Sequence, residues 1–189
     1  MTTFLSPPKA RAVIRDAYAT LTSPAGSLAA VIYDEARVAA LPPGAVELAL
    51  GVGDVVRYAK PRPGDVVLDV GCGAGIDSLL AARSVGPAGR VIGVDMTPAM
   101  IERARTHAGE MGLDNTEFVP GLMEELPLTD QSVDIVLCNG VLNLSTRHSR
   151  ALAEMSRVLR RGGRLALAEL VQTEALPDEI LKDPAALAG

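Results

Sequence analysis

The chain has 189 residues, 48% hydrophobic and 22% charged, a composition typical of one globular domain with its own core. Its 18 basic and 23 acidic residues give a net charge of −5, and its aromatic share is only 3%, which disfavours a nucleic-acid partner. Two cysteines are too few for a secreted disulfide framework or a four-cysteine zinc site, so a reducing compartment fits best.

The N-terminal part of the sequence has a helical pattern. Residues 9–22 place apolar side chains at helical spacing, the Ala-rich residues 28–40 are a candidate for a second helix, and residues 55–59 predict one further short helix. No apolar stretch reaches the roughly 18 residues of a membrane span, and the N-terminus lacks the pattern of a signal peptide. We therefore expect a cytoplasmic protein without a membrane partner, in which residues 1–60 form a helical cap on a domain at 61–189.

A regular alternation begins near residue 65. Apolar runs predict five strands, at 66–70, 90–94, 116–119, 133–138 and 164–171. Helical patterns lie between them, at 76–83, from Thr97-Pro98 to Gly112, and at 149–159, with a turn at 161–163. This alternation indicates an α/β fold with a doubly wound, mostly parallel sheet that is covered on both faces. Residues 177–188 predict one short helix, and no sixth strand is visible.

A glycine-rich turn follows the first strand, where open α/β sheets bind their ligands. Its glycines are Gly71, Gly73 and Gly75, a spacing that lets the backbone turn sharply and approach a ligand closely. Ile76 stands where the dinucleotide fingerprint requires its third glycine, which argues against NAD or FAD.

Two carboxylates flank this turn. Asp69 lies at the end of the first strand, where it would repel a pyrophosphate but attract an ammonium group. Asp95 closes the second strand, where an acid can accept hydrogen bonds from both ribose hydroxyls. The combination calls for a ligand with an adenosine-like ribose, a cationic amine and no phosphate, and S-adenosylmethionine has these parts.

The signature Asp69-x-Gly71-x-Gly73-x-Gly75 with Asp95 resembles that of class I S-adenosylmethionine-dependent methyltransferases over about residues 40–180. The resemblance implies a Rossmann-like methyltransferase fold, with S-adenosylmethionine as the cofactor of residues 61–189. The family sheet normally ends in an antiparallel pair, and these C-terminal strands are missing from the predicted elements. We therefore expect the edge of the fifth strand to be covered by the terminal helix, by a second copy in a homodimer, or by a heteromeric partner.

The resemblance also implies which residues hold the cofactor. In the segment after the third strand, Met123 would supply an apolar face and a backbone N–H to adenine, and Glu124 would accept from its exocyclic amine. The full predicted set is Asp69, Gly71, Cys72, Gly73, Asp95, Met96, Met123, Glu124 and Asn139.

The sequence around the fourth strand is similar to the arsenite methyltransferase branch of this family. That branch places substrate-capturing thiols at the positions that correspond here to Val52 and Gly140. Trivalent arsenic is held by soft thiolates, and neither residue can replace one, so we do not expect an arsenic substrate. Cys72 and Cys138 lie near these segments, and either a shared soft-ligand site or two buried free thiols would be consistent with their positions, the free thiols being favoured.

Methyl transfer from a sulfonium depends mainly on positioning, so no catalytic residue is assigned. Asn139, Asn143 and His148 are the candidates for the acceptor side, although His148 also fits a surface role. His107 is predicted to lie on the solvated face of its helix, and the N-terminal Tyr18 and Tyr33 are candidates for a lid.

The preferred interpretation is methyl transfer from S-adenosylmethionine to a small-molecule acceptor. The main alternative is a non-catalytic S-adenosylmethionine-binding partner subunit of an active methyltransferase. Arsenite methylation and NAD-dependent oxidoreduction are less favoured, because the thiols and the third fingerprint glycine are absent.

Overall fold

The computed structural model describes residues 7–20, 29–171 and 173–174. The strands are β1 (Val66–Val70), β2 (Arg90–Asp95), β3 (Thr116–Pro120), β4 (Val133–Asn139) and β5 (Leu159–Ala168). The helices within these ranges are α1 (Pro7–Ala19), α2 (Ala29–Ile32), α3 (Glu35–Val38), α4 (Pro43–Glu47), α5 (Val55–Ala59), α6 (Ile76–Val85), α7 (Pro98–Glu110) and α8 (His148–Val158). None of these helices is long and apolar enough to cross a bilayer.

The five strands form one parallel sheet in the order β3-β2-β1-β4-β5, which confirms the predicted α/β class. The strand order changes direction between β1 and β4, which are neighbours in the sheet. Ligands of such folds bind at the carboxyl ends of the strands at this point. The central strands are apolar on both faces because helices cover both sides.

Two hydrophobic clusters lie on opposite faces of the sheet. Side chains alternate along β1, so Val67 joins the cluster beneath α5, α6 and α7, whereas Leu68 joins the cluster beneath α8. The two short N-terminal helices α2 and α4 also contribute buried alanines to the first cluster. The N-terminal segment from residue 29 onwards is therefore packed against the same core as the sheet.

Some predicted elements differ from the structure. The single helix expected over 28–40 is divided into α2 and α3, because Asp34 caps α3 by accepting a hydrogen bond from the Ala36 N–H at 2.9 Å. The turn expected at 161–163 lies inside β5, which begins pairing with β4 at Leu159 and bulges before Arg164. The predicted terminal helix at 177–188 lies outside the described residues.

Candidate functional site

The glycine-rich turn joins β1 to α6 and forms the floor of a pocket at the carboxyl ends of the strands. Gly71, Gly73 and Gly75 all have positive φ angles, of 70°, 52° and 99°. The N–H groups of Gly71 and Cys72 donate to the Val94 carbonyl at 2.7 and 3.1 Å, which fixes the turn to the end of β2. A Cβ on Gly71 would lie 2.6 Å from a methyl group of Val141, so only glycine fits there.

Asp95 connects the turn to the start of α7. Its two carboxylate oxygens accept from the Thr97 N–H at 2.8 Å and from the Gly73 N–H at 3.0 Å. Burial raises the pKa of this carboxyl, and these hydrogen bonds act in the opposite direction. Each oxygen has two lone pairs, so the carboxylate keeps capacity to accept from two further hydroxyl groups in the pocket.

Asp69 is fully buried in the wall of the pocket. Its carboxylate accepts a hydrogen bond from the Ser78 hydroxyl at 2.6 Å. Burial and the neighbouring Asp77 raise the pKa of Asp69 well above its ordinary value. A cationic ligand group beside Asp69 would stabilise its ionised form.

The segment after β3 forms another wall of the pocket. Gly121, Leu122, Met123 and Glu124 all line it. The Ser145 hydroxyl donates to Glu124 Oε1 at 2.7 Å, a contact that no sequence pattern indicated. This hydrogen bond fixes one carboxylate oxygen of Glu124 and leaves the other available to a ligand.

Asn139 lines the pocket but is already engaged by protein groups. Its Oδ1 accepts from the N–H groups of Val52 and Gly53 at 2.8 and 3.1 Å. Its Nδ2 donates to the Gly53 carbonyl at 2.7 Å and to Asp77 at 2.8 Å, and lies 3.2 Å from the Tyr33 hydroxyl. The side chain that the sequence offered as a ligand contact therefore holds an N-terminal loop to the sheet.

The two other acceptor-side candidates lie outside this pocket. Asn143 is exposed, and its Nδ2 donates to the Leu170 carbonyl at 2.7 Å, which turns it towards the segment after β5. His148 is exposed at the first position of α8. The structure thus brings together Asp69, Asp95 and the Met123–Glu124 segment, but neither Asn143 nor His148 joins them.

The prediction for His107 is wrong. The side chain is only 8% exposed, and its Nδ1 lies 2.9 Å from the Ala74 carbonyl in the glycine-rich turn. On the other side, a Cβ on Gly44 would lie 2.7 Å from its Nε2. The helical pattern of α7 did not reveal this burial, because it depends on α4 packing over that face of α7.

The two cysteines do not form a shared site. Cys72 belongs to the cluster beneath α6 and Cys138 to the cluster beneath α8, on opposite faces of the sheet. Both are buried free thiols, and burial raises the pKa of Cys138 to about 12. The soft-ligand alternative raised from the sequence is therefore wrong.

Further residues complete the pocket, which is partly open to solvent. Its apolar wall draws on several parts of the described chain and includes Ile14, Ala45, Leu48, Leu50, Ile76, Val141 and Leu144. Its charged groups are the acids Asp69, Asp77, Asp95 and Glu124, and, among the described residues, a single base, Arg11. Within the described part of the chain, the buried Arg11 Nε has no hydrogen-bond partner.

Comparisons with known proteins agree with this geometry. Residues 61–188 match a family model described as a methyltransferase domain. The chain is 46% identical over 157 residues to the arsenite methyltransferase of Halobacterium salinarum, which covers 83% of this chain and 40% of that protein. It is 34% identical over 119 residues to the demethylmenaquinone methyltransferase of Listeria welshimeri, covering 63% of this chain and 50% of that protein.

A solved structure gives the same result. The arsenic(III) S-adenosylmethionine methyltransferase CrArsM of Chlamydomonas reinhardtii superposes with a TM-score of 0.68 at 37% identity, over 77% of this chain and 51% of that one. The chain thus spans half or less of the length of the curated relatives it matches here. The fold, the pocket and these matches agree that the chain belongs to the class I S-adenosylmethionine-dependent methyltransferases, close to their arsenite methyltransferase branch.

Proposed function

We propose that this chain binds S-adenosylmethionine in the pocket and transfers its methyl group to a small organic acceptor. The observation that carries the proposal is the convergence of the glycine-rich turn, Asp69, Asp95 and the Met123–Glu124 segment on one pocket. Family membership supports it, and the relatives' names supply the reaction class.

The pocket residues fit this cofactor. Gly73 faces open space, since a Cβ there would meet no atom within 4 Å, which leaves room for a ligand against the turn. The free lone pairs of Asp95 would accept from the two ribose hydroxyls, and Asp69 would face the α-ammonium group. The free oxygen of Glu124 would accept from the adenine amine, with Met123 against the ring.

Arg11 is assigned to the remaining ionic group of the cofactor. A buried guanidinium nitrogen without an acceptor is costly, and a carboxylate is its best partner. The four acids of the pocket favour the sulfonium and the ammonium, so the carboxylate of the same ligand needs a cation. Arg11 is the basic side chain in the described pocket wall that can provide it.

Methyl transfer requires little acid–base catalysis by the chain. When bound, the cofactor supplies a methyl group activated by its sulfonium charge. The residues of the pocket then need to hold the acceptor in line and exclude water, which accounts for most of the rate enhancement in such reactions. The apolar wall formed by Leu48, Leu50, Val141 and Leu144 suits both tasks for a small organic acceptor.

The arsenic-capturing arrangement of the related branch is absent from this chain. A Cβ built on Gly140 would lie 3.6 Å from a methyl group of Val52, so the two positions are adjacent. They lie at the side of the pocket lined by Gly51 and Gly140, which we call the acceptor end. Two thiols could meet here, but Val and Gly provide no soft ligand. The absence of thiols at these two adjacent positions supports an organic acceptor over arsenite.

A methyl-labelling screen tests the proposal. Isotopically labelled S-adenosylmethionine would be incubated with the chain, a panel of small organic acceptors and arsenite, and products would be identified by mass. We expect labelled organic product, and product from arsenite only after Val52→Cys/Gly140→Cys substitution. Label in arsenite alone with the wild-type chain would contradict the organic acceptor, and cofactor binding without any product would favour the non-catalytic partner subunit.

The Asp95→Ala variant tests the cofactor contact in the same assay. Loss of two hydrogen bonds to a charged group should weaken S-adenosylhomocysteine binding by roughly 100-fold or more. Glu110→Ala, at an exposed position near the end of α7, is the matched control and should bind as the wild type does. Full affinity in Asp95→Ala would remove the proposed ribose contact.

A further inference from the structure

A buried polar cluster joins three separate parts of the chain beside the pocket. Tyr33 follows α2, Asp77 lies in the first turn of α6, and Asn139 ends β4, and each of the three is less than 9% exposed. The Tyr33 hydroxyl donates to one oxygen of Asp77 at 2.9 Å, and Asn139 Nδ2 donates to the other at 2.8 Å. We call these three residues the polar latch.

The latch holds one particular loop. The Asn139 side chain accepts hydrogen bonds from the N–H groups of Val52 and Gly53 and donates one to the Gly53 carbonyl. Gly51 packs so closely that a Cβ there would lie 2.2 Å from Asn139 Nδ2. The latch therefore fixes the loop 51–53 so close to Asn139 that only glycine fits at position 51.

The same loop meets the acceptor end of the pocket. Gly51 and Gly140 both line the pocket, and Val52 faces Gly140. By contrast, the residues assigned to the cofactor are held by other contacts: Asp69 by Ser78, and Asp95 by Thr97 and Gly73. The latch and the cofactor contacts thus share no hydrogen bond, although Asp77 and Asp69 lie in the same wall of the pocket.

The hydrogen bonds of the latch favour a structural role. Burial and the adjacent Asp77 raise the pKa of Tyr33, which keeps its hydroxyl protonated and donating. Burial also raises the pKa of Asp77, and the hydrogen bonds from Asn139 and Tyr33 act in the opposite direction. Arg37 forms an ion pair with Asp54, which caps α5, so the chain beyond the loop is also anchored.

We propose that Tyr33, Asp77 and Asn139 are positioning residues that hold the loop 51–53 across the acceptor end of the pocket. This inference rests on the proposed function for what the loop faces. It assigns the latch to acceptor alignment, so that loosening it at Tyr33, which lies outside the pocket wall, should lower acceptor turnover and leave cofactor affinity unchanged.

Amide hydrogen exchange on the full chain tests this directly. Tyr33→Phe keeps the buried ring and removes one donor to Asp77. In this variant we expect the Val52 and Gly53 amides to exchange at least about five-fold faster, as the loss of one hydrogen bond predicts. Tyr58→Phe is the matched control, because Tyr58 is 79% exposed and lies outside the pocket wall.

Calorimetry with S-adenosylhomocysteine separates this inference from the proposed function. Tyr33→Phe should bind it within two-fold of the wild type and, with an acceptor found by the screen, show a roughly ten-fold lower kcat/KM for that acceptor. Wild-type exchange rates at Val52 and Gly53 in Tyr33→Phe, or cofactor affinity that falls along with protection, would overturn the proposal. If the wild type itself fails to bind S-adenosylhomocysteine, the proposed function fails, while the exchange rates still decide whether the latch holds the loop.

Discussion

Asp69 and Asp77 are two buried carboxylates in one wall of the pocket, and they affect each other's ionisation. Burial raises the pKa of Asp69 to about 8, with a further contribution from Asp77. A raised pKa means that the protonated form of Asp69 favours the folded chain, and that this contribution is lost as the pH rises through about 8. A cation placed beside Asp69 would favour its ionised form and lower its pKa.

Cofactor binding should therefore release a proton near pH 7. The α-ammonium of S-adenosylhomocysteine would stabilise ionised Asp69 and lower its pKa, so the proton moves to the buffer. Titration calorimetry at pH 7 should give a more exothermic binding enthalpy in Tris than in phosphate. The difference should vanish in Asp69→Asn, and equal enthalpies for the wild type would place the ammonium elsewhere.

Substitution of Arg11 tests whether this side chain binds the carboxylate of the cofactor. Arg11→Gln should weaken S-adenosylhomocysteine binding by roughly 10- to 100-fold, because a charge-assisted hydrogen bond to the carboxylate is lost. It should leave binding of methylthioadenosine unchanged, because that nucleoside lacks the amino acid. Arg15→Gln on the same helix is the control, since that side chain is 52% exposed and pairs with Asp16. An equal loss for both ligands would show that Arg11 does not recognise the carboxylate.

The positions of side chains that depend on the local backbone could be predicted from the sequence. The contacts of side chains whose partners are distant in the chain could not. The positions of Asp69 and Asp95 follow from the strand ends that precede the turn and α7. The engagement of Asn139 depends on Gly53, which lies 86 positions away, and the burial of His107 depends on packing by α4. Such contacts leave no periodic signal in the sequence.

Among the elements, the turn from β1 to α6 combines backbone conformation with close packing. Gly71 has a φ of 70° and no room for a Cβ, whereas Gly112 has a φ of 61° and open space around it. Gly112→Ala should lower the free energy of unfolding by about 1 kcal/mol through backbone strain alone. Gly71→Ala should cost roughly 1–3 kcal/mol more, because the added methyl group collides with Val141.

Urea unfolding of the two glycine variants measures this difference. Equal destabilisation would mean that the packing of the turn against Val141 does not contribute. The comparison uses stability alone, so it does not depend on cofactor binding.

The regular α/β region was predicted more accurately than the connections. Strands β1, β2 and β4 follow from short runs of Val, Ile and Leu, and α7 ends at Glu110, close to the Gly112 that the sequence marks as its end. The turn predicted at 161–163 became a bulge in β5, because pairing with β4 begins at Leu159, before the glycines. Tertiary pairing thus outweighed a local turn signal.

At the scale of the whole molecule, β5 forms one edge of the described sheet. Leu165 and Leu167 are each 42% exposed on this strand. The expectation that a terminal segment, a second copy or another protein covers this edge stays a prediction. Sedimentation of the full chain measures it: a dimer that dissociates on Leu167→Lys substitution would support the second copy, and a monomer would eliminate it.

Binding of S-adenosylmethionine against the glycine-rich turn after β1 is the central claim for this chain. Titration calorimetry of the unmodified chain with S-adenosylhomocysteine, and separately with NAD, tests this most directly. We predict saturable binding of one S-adenosylhomocysteine per chain and no measurable heat with NAD. Binding of NAD in preference to S-adenosylhomocysteine, or of neither, would contradict the assignment of the pocket.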